Sequence, residues 1–249
     1  MTRRIDFMIA GVQKGGTTSL DAFLRQHPHI SMARKKEPHF FDKPPPTGLR
    51  PLDHALYHMC FDWRAAGQGA RLGEATPALT WWEGAMTRVW RYNSKIRIIM
   101  ILRDPVERAW SHYRMDVRLG RETACFSEAI RAERERARRA LPLQDRERSY
   151  VSRGYYANQI RQLRRLFPEN QLLFLRSEML SQDPQAILSR VCDFLDVAPF
   201  TFAAEKRHNS APEAASLADI DRDYLCALYQ HDAEETRHLL GWDKDGWSV

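Results

Sequence analysis

Apolar residues gather into three short runs along the chain: DFMIAGV at 6–12, IRIIMIL at 96–102 and QLLFLRSE at 171–178. Each is shorter than a typical helix and rich in Ile, Phe and Leu, as strands buried on both faces are. Between them, apolar positions recur at helical spacing. A first helix is predicted to open at Thr17 or Thr18 and to stop before Pro28. Pro105 suits a first helical turn, and after it Val106, Ala109, Trp110 and Tyr113 can share one face. A third helix is predicted over 155–167, with Ile160, Leu163 and Phe167 turned inward. Strands alternating with helices predict an α/β fold, a P-loop-like three-layer domain with a central, mostly parallel sheet flanked by helices. At this length one domain spanning 1–249 is expected. DKPPPTG at 42–48 reads as a loop, because consecutive prolines continue neither a helix nor a central strand.

Composition narrows the function classes. A balance of 38 Lys and Arg against 32 Asp and Glu gives +6, which suits an anionic ligand but falls short of a dedicated nucleic-acid binder. Part of the excess is local, since residues 131–148 carry seven Arg against four acids. The signs there are interspersed, so a solvated helix face is the preferred reading and a site for an acidic partner the second. Cys60, Cys125, Cys192 and Cys226 form no C-x-x-C pair, so neither a structural zinc site nor a disulfide scaffold is expected. The N-terminal apolar stretch is too short for a signal-peptide core and IIMIL is too short to cross a bilayer. A cytoplasmic protein with no membrane or nucleic-acid partner is the resulting expectation.

The candidate chemistry begins at GVQKGGTTS, residues 11–19. A glycine-rich turn between a buried strand and a helix exposes backbone N–H groups, and the helix N-terminus adds partial positive charge; together they cradle a phosphate. Gly11 and Gly16 have the spacing of an ATP-binding phosphate loop, but Thr17 takes the place of that loop's lysine and Lys14 lies inside the turn. A turn that merely closes strand onto helix is the plain alternative. A second group lies in IIMILRDPVERAWSHYR, where Arg103 ends an apolar run and Ser111 follows eight residues later, about two helical turns on. Arg offers a two-pronged charged fork and Ser a neutral donor, so the pair can take another phosphate at the strand ends. A surface Arg103–Asp104 pair and an ordinary helical Ser111 are the alternative.

Taken with KKEPHFFD, GEATPAL and RGYYANQIRQLRRLFPENQLLFLRSEML, these motifs resemble those of the sulfotransferases that use 3′-phosphoadenosine 5′-phosphosulfate. The branch is that of heparan sulfate sulfotransferase domains and their bacterial relatives. The resemblance runs over roughly residues 5–200. It implies that Lys14, Gly15, Gly16, Thr17 and Thr18 hold the 5′-phosphosulfate and that Arg103 and Ser111 hold the 3′-phosphate. Lys206, Arg207 and Asn209, in EKRHNSAP, match loosely the basic loop that covers the nucleotide, with a solvated loop as the alternative. Glu37 matches the family's catalytic glutamate and would take the acceptor's proton, with His39 as the reserve base and Lys14 stabilising the leaving phosphate. The donor leaves as adenosine 3′,5′-bisphosphate, with no metal required. Ala75 departs from the pattern, because glycan-modifying members often carry lysine there; Glu74 and Thr76 stay possible site residues. Trp81 and Trp82 suit either a core or an aromatic acceptor wall. The acceptor is expected to be a small molecule, a carrier-bound metabolite or a saccharide, modified on a hydroxyl or, as second choice, an amine. Its identity and the oligomeric state are left open by the residues. The alternatives are a P-loop nucleotide kinase or ATPase, for which Asp104 is a weak Mg²⁺ nominee, and a nucleotide-binding relative without turnover.

Overall fold

The structure is a computed structural model that describes residues 4–43, 52–203, 216–243 and 247–249. The strands are β1 (Phe7–Gly11), β2 (Ile30–Met32), β3 (Arg71–Ala75), β4 (Arg97–Leu102) and β5 (Leu172–Arg176). The helices are α1 (Thr17–Leu24), α2 (Leu52–His58), α3 (Trp63–Gly67), α4 (Ala85–Tyr92), α5 (Pro105–Arg118), α6 (Phe126–Ala140), α7 (Tyr156–Leu166), α8 (Ser177–Gln182), α9 (Pro184–Leu195) and α10 (Asp219–Leu240).

All five strands lie in one sheet, in the order β2-β3-β1-β4-β5, and every pairing is parallel. β1 sits at the centre with every residue buried, which its run FMIAG requires. Phe7 pairs with Gly73, and a Cβ on Gly73 would fall 2.1 Å from the Phe7 ring, so only glycine lets that ring lie across β3.

The chain divides into two compact units. One takes the described residues of Met1–Leu102 and Leu163–Asn209, the other those of Arg103–Gln162 and Ser210–Val249. In the first, one face of the sheet is covered by Leu20, Phe23 and Leu24 of α1 and by Ile187, Leu188, Val191 and Leu195 of α9. These pack with Phe7, Ile9, Ile99 and Ile101 into one core. In the second, Val106 and Ala109 of α5 join Phe126, Ala129 and Ile130 of α6 and Leu225 and Tyr229 of α10, with Trp110 and Tyr113 packed alongside.

The three predicted strands and three predicted helices are all present, and Ile160, Leu163 and Phe167 are buried as their spacing requires. The loop predicted at 42–48 lies, after Lys43, outside the described residues. β2 and β3 are additions, as are α2, α3, α4, α8, α9 and α10. β2 has three residues, and β3 reads RLGEA, whose glycine and glutamate interrupt any apolar run.

Candidate active site

β1 delivers the chain into the turn that precedes α1. Lys14 and Gly16 both adopt left-handed backbone, with φ of 69° and 103°. Gly15 donates its N–H to Val12 O at 2.9 Å, and Val12 donates to Ile101 O at 3.0 Å, which fixes the turn to β4. A Cβ on Gly15 would lie 2.4 Å from Ile101 O, so the backbone here is closer packed than any side chain permits. Gly16 is the N-cap of α1 and offers no side-chain cap, and the first turn of that helix holds no acidic residue. An uncapped N-terminus with neutral Thr17 and Thr18 in its first turn is suited to an external anion.

In the second unit, Asp104 caps α5 and accepts N–H bonds from Val106 at 2.8 Å and Glu107 at 3.1 Å. Ser248 also donates its hydroxyl to Asp104, at 2.6 Å. This carboxylate is committed to holding the helix start, which weakens the Mg²⁺ reading of the same residue. Arg103 stands just before the cap. Its Nη2 lies 3.8 Å from Glu107 Oε2, beyond hydrogen-bond length, and its carbonyl accepts the Tyr156 hydroxyl at 2.9 Å. Ser111 lies partly exposed on α5 within the same unit.

The turn after β2 carries a connected line of charged groups. Lys36 Nζ approaches Glu37 Oε1 at 2.5 Å, and His39 Nε2 lies 3.2 Å from Glu37 Oε2. The other ring nitrogen of His39 meets Asp42 Oδ2 at 2.7 Å, and Asp42 is buried. An imidazole between two carboxylates is favoured as the cation. The hydrogen bonds to Asp42 and then Glu37 outweigh its partial burial and push His39 up to about 9. Burial pushes the Glu37 carboxyl upward, but the His39 hydrogen bond and the Lys36 charge overcome it and hold the group at about 2. Glu37 and His39 both have positive φ, 59° and 52°, which non-glycine residues adopt only under support. Part of that support is the Glu37 N–H, which donates to Ala75 O of β3 at 3.1 Å.

The sequence-predicted residues thus fall into local groups. Lys14, Gly15, Gly16, Thr17 and Thr18 form one turn and Glu37 and His39 another in the first unit, while Arg103 and Ser111 belong to the second. Lys206, Arg207 and Asn209 lie outside the described residues. Asp42 was missed by sequence reasoning; the His-x-x-Asp spacing is the one local signal that could have found it. Ala75 is fully buried in the core. Trp82 is 8% exposed and Trp81 partly so, with their rings edge to face. Much of the charge on the Arg-rich segment is matched internally: Arg131 pairs with Asp221, Arg136 with Glu122 and Arg139 with Glu135.

A parallel sheet with a glycine turn opening into an uncapped helix defines an anion-binding α/β domain of the P-loop-like kind. Comparison with known proteins narrows the class. The sulfotransferase domain family matches residues 4–211, and the chain belongs to that family. It is 34% identical over 188 residues to human heparan sulfate glucosamine 3-O-sulfotransferase 3B1, across 76% of this chain and 45% of that protein. The chain therefore matches about half the length of the curated relatives. The crystal structure of a sulfotransferase from Alicyclobacillus acidocaldarius superposes with a TM-score of 0.80 at 29% identity and covers 100% of both chains. Mouse sulfotransferase SULT7A1 complexed with PAP shares the fold alone, at 14% identity and TM-score 0.53 over 79% of this chain and 61% of that one.

Proposed function

We propose that this protein moves the sulfuryl group of 3′-phosphoadenosine 5′-phosphosulfate onto a hydroxyl, or as second choice an amine, of a small-molecule, carrier-bound or saccharide acceptor. The observation that carries the reading is the line Lys36–Glu37–His39–Asp42, which holds the Glu37 carboxylate between an ammonium and an imidazole on a turn anchored to the last residue of β3, at the sheet end where β1 runs into the glycine turn. The donor supplies an activated sulfuryl group and a phosphate leaving group, and the chain's residues supply binding, charge and a proton acceptor.

The Gly15–Gly16 turn and the open N-terminus of α1 fit a dianionic group, because the turn is held against Ile101 O too closely for a side chain at Gly15 and no side chain caps the helix. Lys14 in that turn is suited to neutralise the charge that collects on the leaving phosphate. Arg103 and Ser111 of the second unit match the family's 3′-phosphate pair. Glu37 accepts the acceptor's proton; its ionised state persists at neutral pH because His39 and Lys36 stabilise it. His39 is less suited to be the base, since both carboxylates favour its protonated form. It orients Glu37, and Asp42 orients His39. A Walker lysine is missing and Asp104 caps a helix, so nothing favours the kinase reading.

The test is to supply labelled donor with a panel of hydroxyl and amine acceptors and identify the product by mass spectrometry. Donor-dependent sulfated product supports the reading; its absence with every acceptor, in protein shown to bind adenosine 3′,5′-bisphosphate, would count against it.

A further inference from the structure

Behind the Glu37 turn lies a buried carboxyl that this mechanism does not use. Glu74, on β3, is 1% exposed, and each of its oxygens accepts a hydroxyl: Tyr57 to Oε1 at 2.6 Å and Thr76 to Oε2 at 2.6 Å. Alternation along the strand turns Glu74 away from the core face that Ala75 occupies and toward α2, which carries Tyr57. No described cation pairs with it, so burial raises its pKa, against the lowering effect of the Thr76 and Tyr57 hydrogen bonds, to about 7. An apolar side chain would avoid that penalty. The carboxyl's placement therefore calls for a use beyond filling space.

The contacts lead to the catalytic turn along two routes. The Tyr57 ring stacks on Phe40 at 4.8 Å and meets Phe41 edge-on at 5.1 Å, and these two residues join His39 to Asp42. On the other side, the backbone next to Glu74 receives the turn directly, through Glu37 N–H to Ala75 O. Thr76, which holds the second carboxylate oxygen, is itself fixed by its N–H to Ile9 O of β1 at 3.1 Å. Glu74 thus ties the aromatic floor under Phe40–Phe41 to the strand that anchors Glu37. The left-handed backbone at Glu37 and His39 needs support of this kind from its surroundings.

We propose that Glu74 is a positioning residue for sulfuryl transfer: with Tyr57 and Thr76 it fixes the turn that aims Glu37 and His39, and it touches neither donor nor acceptor. The inference rests on Glu37 being the base.

The test compares Glu74→Gln and Tyr57→Phe, which keep the side-chain volume, with wild type and with Glu37→Gln. A base displaced by a fraction of an ångström to about 1 Å loses about 10–100-fold in rate. The expected result is a fall of that size in kcat for each variant, with the donor KM and the Kd for adenosine 3′,5′-bisphosphate unchanged. Placed on Glu37→Gln, either substitution should leave the residual turnover where it was, because the group being aimed is already gone. Wild-type kcat in both single variants would overturn the inference. So would a loss that multiplies undiminished onto Glu37→Gln, which marks a general structural role. Should Glu37→Gln itself turn over normally, the base assignment fails, a result separable from either of these.

Discussion

Alanine at Gly15 is the substitution most sharply defined by the geometry of the glycine turn before α1. Its new Cβ would sit 2.4 Å from Ile101 O, 2.9 Å from Val12 Cγ2 and 3.1 Å from Val12 O. Two of these neighbours are backbone carbonyls, so no flexible side chain can swing away. Ile101 O also accepts the Val12 N–H, and retreating from the methyl group weakens that bond. Overpacking of this kind costs ~1–3 kcal/mol and the strained hydrogen bond ~1 kcal/mol. The sum, ~2–4 kcal/mol, corresponds to a drop in Tm of roughly 5–15 °C for a chain of this size. Gly67 is the control: it ends α3 with nothing within 4 Å of an added Cβ, and alanine there should be neutral or stabilising by up to ~1 kcal/mol. Thermal unfolding by circular dichroism reads both. A second scan with adenosine 3′,5′-bisphosphate reads the cradle, because a ligand at 100 times its Kd adds ~2.7 kcal/mol to the wild type. Gly15→Ala should lose most of that gain. A variant that melts within about a degree of wild type and keeps the full ligand shift would refute the reasoning.

Further outcomes follow from other groups. Arg103→Ala removes a charged fork, and its Kd for adenosine 3′,5′-bisphosphate should rise about 10–100-fold by calorimetry, with little change in Tm. The Glu37–His39 pair gives a pH signature whose signs differ. Glu37 is depressed to about 2, so its contribution to stability is present above its ordinary pKa of 4.5 and is lost as pH falls through about 2. His39 is raised to about 9, so its contribution is full below 6.5 and is lost as pH rises through about 9. A Tm–pH series should therefore show a decline between pH 6.5 and 9 that is shallower in His39→Asn; an identical slope in that variant would remove His39 as its source. For the reaction itself, kcat should hold on the acid side down to at least about pH 4 and decline on the alkaline side as His39 loses its proton. A loss of kcat centred near pH 6 would point to a neutral imidazole as the base.

What the sequence made legible was whatever is written in contiguous residues. β1, β4 and β5 are largely apolar runs, and the helices after Thr17 and Pro105 carry start signals, so these elements stand where the residues predicted them. β3 was illegible because RLGEA alternates a buried carboxyl and a glycine with core positions, a pattern explained only by Phe7 across the sheet and Tyr57 above it. The candidate site shows the same division. Glu37 and His39 stand in a motif, whereas their electrostatics depend on Asp42 and their backbone on Ala75 O and the aromatic floor. Those partners are set by tertiary contacts rather than by local spacing. The Arg-rich segment looked like surplus charge in one dimension, and the fold supplies Asp221 and Glu122 from elsewhere in the chain to meet it.

The most direct test of the central claim is transfer of labelled sulfate from 3′-phosphoadenosine 5′-phosphosulfate to an acceptor, measured side by side for wild type and Glu37→Gln at equal nucleotide occupancy. Loss of a general base predicts product from the wild type and a rate lower by about 10²–10⁴-fold in the variant, with the Kd for adenosine 3′,5′-bisphosphate unchanged. Equal rates for the two proteins would contradict it.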